Sequence, residues 1–155
     1  MPHTDALNIN DGKSIFIVFK WSTATLWDVL LSKNTWNTDG WLIFKKGTGS
    51  ILFQRSTGGG SGTSHSNVAG DIDMLSCMAN NTGFYSYING DDYQSNAIGT
   101  VPDSTRDLHI GVRDTSHDPW TGDVHEIVII DDEVDTGTRQ IIVGYLAHKG
   151  AWKPT

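Results

Sequence analysis

Cysteine is nearly absent from this chain of 155 residues: Cys77 is the only one. An internal disulfide and a cysteine-cluster zinc site are both excluded. Its place between Leu75 and Met78 predicts a buried, inert thiol. Glutamate is scarce as well, with only Glu126 and Glu133. No apolar run approaches the roughly 20 residues that a membrane helix needs, so no membrane partner is expected. Residues 1–11, MPHTDALNIND, lack the basic start and apolar middle of a secretory signal. Export by that route is not expected unless a leader was removed. Basic residues are few, 11 Lys and Arg against 18 Asp and Glu, and the formal net charge is -7. A phosphate-binding surface needs clustered cations, and the one tight pair, Lys45-Lys46, falls inside a predicted strand. Nucleic acid is therefore not an expected partner.

What is present is a series of short apolar runs punctuated by Gly, Asn, Asp, Ser and Thr, the pattern of strands and turns. Residues 15–21 are apolar on both faces apart from Lys20, which suits a buried central strand. Further strands are expected over 26–31, 41–44, 51–53, 72–78, 84–88, 108–112 and 124–130. Asn89-Gly90 marks a tight hairpin turn, because both central positions of that turn need positive φ. Eight such strands argue for a sandwich or barrel. One helix is expected near the C-terminus, capped by Asp135 or Thr136 and ended by Gly150. Its apolar stripe would be Ile141, Ile142, Tyr145 and Leu146. Residues 56–70, with STGGGSGTSHSN, read as an internal loop. Trp21, Trp27, Trp41 and Trp152 are expected in or beside the core.

The second half carries a recognisable order of segments. Residues 72–77, IDMLSC, occupy the place of a mid-domain core strand, and 83–90, GFYSYING, look like a strand ending in an Asn/Asp-Gly turn. Leu108-His109-Ile110-Gly111 resembles an "L-x-I-G" strand. Residues 120–127, WTGDVHEI, resemble "aromatic-x-G-x-I-x-E-V/I". Residues 145–150, YLAHKG, resemble a closing "Y-L-A-x-K-W-G" helix with Trp152 displaced. Together these are similar to the laminin-G-like jelly rolls of the concanavalin A-like lectin/glucanase superfamily, from about Leu7 to Trp152. The resemblance implies an all-β fold, a two-sheet antiparallel jelly-roll sandwich with one short C-terminal helix, formed as one domain over 1–155. Domains of this kind are frequent in bacteriophage structural proteins and in secreted bacterial proteins, and the fold by itself implies no single function.

That superfamily includes glycoside hydrolases, which need two carboxyl groups about 5–5.5 Å apart for retaining chemistry. Same-face residues recur at every second strand position. Glu126 and Glu133 are an odd number of positions apart, and Glu133 lies past its predicted strand, so the pair is absent. Glu126 reads as structural, accepting hydrogen bonds from loop backbone. Asp71 with Asp73, and Asp131 with Glu133, read as solvated turn residues. The six histidines show no helical metal-ligand spacing, and no G-x-S-x-G elbow is present. No catalytic residue is assigned and no enzyme is expected.

A sugar site pairs an aromatic platform with amide or carboxylate hydrogen-bonders. Two loops fit. The first holds Asn34, Trp36, Asn37 and Asp39; the second holds Arg113, Asp118 and Trp120. Calcium takes six to eight oxygens, and Asp114 with Asp118, or Asp91 with Asp92, are weak starts for such a site; no cofactor is otherwise expected. Asn80-Asn81-Thr82 matches a glycosylation acceptor, but its use is not expected where no secretory signal is read. The leading expectation is a non-enzymatic structural or binding module of a virion, a capsid decoration or tail protein. It would sit on a virion or extracellular surface, with other surface proteins, glycans or further copies of itself as partners. The alternative is a carbohydrate-binding module of a secreted or surface protein, and a glycoside hydrolase comes last.

Overall fold

The computed structural model describes residues 7–10, 12–22, 27–47, 49–55, 62–66, 72–97, 100–113 and 118–149. Among these described residues, ten strands and one helix follow in order. They are β1 (Lys13–Trp21), β2 (Trp27–Thr35), β3 (Asp39–Lys46), β4 (Ser50–Arg55), β5 (Gly62–Ser66), β6 (Ile72–Ala79), β7 (Phe84–Ile88), β8 (Asp92–Asn96), β9 (His109–Ile110), β10 (Gly122–Ile130) and α1 (Thr136–His148). They form two antiparallel five-stranded sheets, β10-β1-β6-β7-β8 and β5-β4-β3-β2-β9. This is the expected two-sheet jelly-roll sandwich.

The faces follow from strand alternation. Ile15, Ile17, Phe19 and Trp21 of β1 pack inward against Leu31, Trp41, Ile43, Ile51 and Phe53 of the facing sheet. Phe16 and Val18 point outward, where α1 covers them with Leu146, Ile142 and Val143. That cover is why β1 is apolar on both faces. The helix stripe differs from expectation: Ile141 and Tyr145 are exposed, and the buried side is Arg139 and Leu146 with Ile142 and Val143. The helix is apolar around much of its girth, so its contact with the sheet chooses the buried arc. Asp135 caps its start, accepting from Thr138 N–H at 2.7 Å. Gly150 and Trp152 lie outside the described residues.

Two strands fall where none was expected. β5 lies inside the segment read as loop, and β8 follows the Asn89-Gly90 turn. Both are polar edge strands, which carry no apolar alternation to read. The turn itself is as expected, with φ of 53° at Asn89 and 92° at Gly90. The expected strand over 108–112 shrinks to two residues, and β2 runs on through Thr35. Cys77 is buried, and burial pushes its thiol well above the ordinary range, so it is inert.

Candidate functional site

The two loops singled out in the sequence come together in part. β2 and β3 are joined by Trp36, Asn37 and Thr38, with Asn37 at φ 60°. Asp39 accepts from Thr35 N–H at 2.7 Å, and Thr38 N–H donates to Thr35 O at 2.9 Å. Gly40 must be glycine here: φ is 72°, and a Cβ would sit 1.9 Å from Lys33 O. Asn34 lies within β2 and is buried. Asn34, Asn37 and Asp39 are thus parts of the hairpin's own frame, and Trp36 is the side chain it presents.

Trp36 meets two partners. Arg113, from just beyond β9, places its guanidinium 4.5 Å from the Trp36 ring centre, and its Nη2 is 3.1 Å from Asp118 Oδ2. Trp27, from the far end of β2, meets Trp36 edge to face at 6.4 Å and 78°. The two rings thus meet although their residues flank opposite ends of β2. A register shift between Val29 and Leu31 bends β2 on the way. Trp27 also stacks on Phe44 at 5.3 Å, and Lys46 Nζ lies 5.6 Å from the Trp27 ring. Beneath the rings is a small outer-face cluster of Val29, Leu42, Phe44 and Leu52. The outcome is an aromatic surface with two cations on it. Trp27 and Trp36 each keep 40% of their surface exposed. Trp27, expected beside the core, is therefore a surface residue that sequence reasoning missed.

Trp120 does not join this surface. It packs against Phe19 at 5.7 Å and Trp21 at 6.1 Å, inside the sandwich end. Nearby, Asp28 and Lys45 are buried cross-strand partners, and Lys45 Nζ lies 5.1 Å from the Trp21 ring. Burial raises the Asp28 carboxyl, against the opposing pull of Lys45 and of hydrogen bonds from Thr121; Asp118 adds to the rise.

The carboxylates weighed for catalysis are engaged elsewhere. Glu126 pairs with Lys149 at 2.7 Å, just past the helix end. Glu133 accepts from Asn80 Nδ2 at 2.7 Å, and Asp131 pairs with the buried Lys13 at 2.6 Å. Asp73 accepts from Asn89 Nδ2 at 2.8 Å. Asp71 and Asp114 lie outside the described residues. Among the described residues no group of three or more His, Cys, Asp or Glu could hold a metal ion. Asp118 pairs with Arg113, and Asp92 with His65.

One arrangement had no counterpart in the sequence reading. His65 Nδ1 lies 3.0 Å from Asp92 Oδ2, and His65 Nε2 lies 2.7 Å from Ser86 Oγ. Ser86 in turn bonds Thr63 Oγ1. The order Asp–His–Ser matches a hydrolytic triad. Ser86 has no exposed surface and His65 has 1%, so no substrate carbonyl can reach the hydroxyl. The chain of bonds instead joins β5, the edge of one sheet, to β7 and β8, the edge of the other. The His65 hydrogen bond holds Asp92 below the usual carboxylate range. A separate open cleft of about 510 Å³ lies at the Lys13 end of β1, lined by Asn10, Gly12, Asn80, Asn81, Asp132 and Glu133. It offers hydrogen-bonders but no aromatic platform.

The architecture is that of the concanavalin A-like jelly rolls, in the form seen in laminin-G domains. No protein-family model matches the sequence, and no curated protein does. Solved structures similar to the chain include the CBM40 of Ruminococcus gnavus IT-sialidase bound to α2,3-sialyllactose. That match has 13% identity and a TM-score of 0.70, covering 88% of this chain and 84% of that one. The binding domain of botulinum neurotoxin DC in complex with SialylT is similar at 14% identity and TM-score 0.68, covering 92% and 37%. Domains LG4-5 of the mouse laminin alpha1 chain are similar at 14% identity and TM-score 0.62, covering 76% and 34%. The chain thus spans about a third of the laminin and toxin chains. At these identities the likeness shows the fold alone.

Proposed function

We propose that this domain is a glycan-binding module of lectin-like fold, acting by recognition and without catalysis, on an extracellular or other surface. The observation that carries it is the pair of half-exposed tryptophans, Trp27 and Trp36, held together on an outer sheet face with Arg113 and Lys46. Pyranose faces are apolar and their edges polar, so an indole flanked by N–H donors suits both. Three neighbours support the reading: the Ruminococcus gnavus module was solved with sialyllactose, and botulinum toxin structures concern SialylT and gangliosides. A related toxin domain was solved with rat synaptotagmin II, so a protein partner also suits this fold. None of the neighbours described here comes from a virion, and the capsid-decoration reading has only the sequence resemblance behind it.

The test is a broad glycan array, charged and neutral, probed with the wild-type domain and with Trp36→Ala. Binding to a defined set of glycans that Trp36→Ala loses is the expected result. A flat wild-type response would end the proposal.

A further inference from the structure

Two segments far apart in sequence meet at the tryptophan surface through side chains. The hairpin's own hydrogen bonds, Thr38 to Thr35 and Thr35 to Asp39, fix its backbone and do not reach the Trp36 ring. Among the described residues, Arg113 and Trp27 both meet the ring. Arg113 is itself held by Asp118 at 3.1 Å. Asp118 sits at φ 54°, and its carbonyl accepts from Val29 N–H of β2 at 2.9 Å. The contacts form a circuit. It leaves β2 at Val29, passes through Asp118 and Arg113 to Trp36, and returns to β2 through Trp27.

Such a circuit narrows the rotamers open to an exposed indole. A guanidinium suits the task, since it is planar, stacks on aromatic faces and is oriented by a carboxylate. A ring ordered before its ligand arrives binds more tightly, because less freedom is lost on binding. We propose that the Arg113–Asp118 pair is a clasp that sets the Trp36 ring and so tunes the affinity of the sugar face. Asp118 is then a positioning residue that never touches the ligand. The proposal rests on the glycan reading above, although its effect on the ring can be measured without any sugar.

The test uses the full chain with nitrogen-15 in its indoles, the Trp36 signal being assigned from Trp36→Phe. Indole order is read by relaxation, and affinity by titration with sialyllactose and with the strongest array glycan. Asp118→Asn and Arg113→Ala should each loosen the Trp36 indole and weaken binding about fivefold, the scale of one partly exposed ion pair. The double variant should be no weaker than either single one, and Arg113→Lys should recover part of the loss. If Arg113→Ala fails to fold, Asp118→Asn, which keeps size and removes only charge, decides. An unchanged indole in Asp118→Asn overturns the clasp whatever the sugar result. A loosened indole with unchanged or tighter binding overturns its control of affinity. A wild-type domain that binds no glycan, with an indole still freed by Asp118→Asn, overturns the glycan reading and supports the clasp.

Discussion

Two places in this sandwich tie separate segments together with chains of polar and aromatic side chains, and they differ chiefly in burial. At the β2–β9 side, Asp118, Arg113, Trp36 and Trp27 lie on an outer face and stay partly open to solvent. At the β5–β8 edge, Thr63, His65 and Ser86 are sealed between the sheets, with only Asp92 reaching water. The second set has the more reactive chemistry on paper, in the order of a hydrolytic triad. It nevertheless has no face to offer a substrate, so its hydrogen bonds serve to close the sandwich edge. The first set has no reactive group, yet it has two half-exposed rings with Arg113 and Lys46 against them. Access, more than residue type, separates a candidate site from a structural tie.

That contrast can be broken by experiment. The largest effect should follow Trp36→Ala: glycan binding should fall more than tenfold while the melting temperature moves by only a few degrees. The opposite profile is expected for His65→Ala. Ser86 and Asp92 would lose their shared partner inside the edge, costing about 2–3 kcal/mol of stability in denaturant unfolding, with glycan binding unchanged. Were His65→Ala to abolish binding and spare stability, the division between the two regions would be wrong.

Thr63→Val should be milder. It keeps the shape and removes one hydroxyl partner of Ser86, for a loss of about 1 kcal/mol in the same measurement. The smallest effect concerns pH. Asp92 is held below its ordinary range by His65, so its folded pKa is depressed. Its contribution is present above the unfolded carboxylate value and is lost as pH falls through the folded value. A slightly shallower acid-unfolding curve in Asp92→Asn than in wild type would show this; identical curves would remove Asp92 from the tie.

Much of the fold was legible because apolar spacing is a local signal. β1, β6, β7 and β10 were placed within a few residues, and the Asn89-Gly90 turn has the positive φ values its residues imply. β5 and β8 were not legible. GTSHS and DYQSN gain their strand form from a neighbour and a covered edge, not from their own pattern. The helix shows the same limit. Ile141 and Ile142 are adjacent and alike, and only the sheet beneath decides that Ile142 faces it and Ile141 is exposed.

The candidate site divides in the same way. Trp36, Arg113 and Asp118 were each visible as unusual loop residues, but as members of two separate loops. Trp120 carried the same signal as Trp36, yet it packs against Phe19 and Trp21. Trp27 carried none and is exposed. The amino-acid order alone determined most of the strands, the Asn89-Gly90 turn, the capped helix, and the lack of an internal disulfide or a paired-glutamate site. These depend on residues close in sequence or on simple counts. Which tryptophans meet, and whether Arg113 reaches Trp36 or His65 reaches Ser86, only the tertiary structure decided. Those contacts need β9 to lie beside β2, and β5 to close on β7 and β8. Such pairings are set by how two whole sheets bury their inner faces, which no short stretch of sequence encodes.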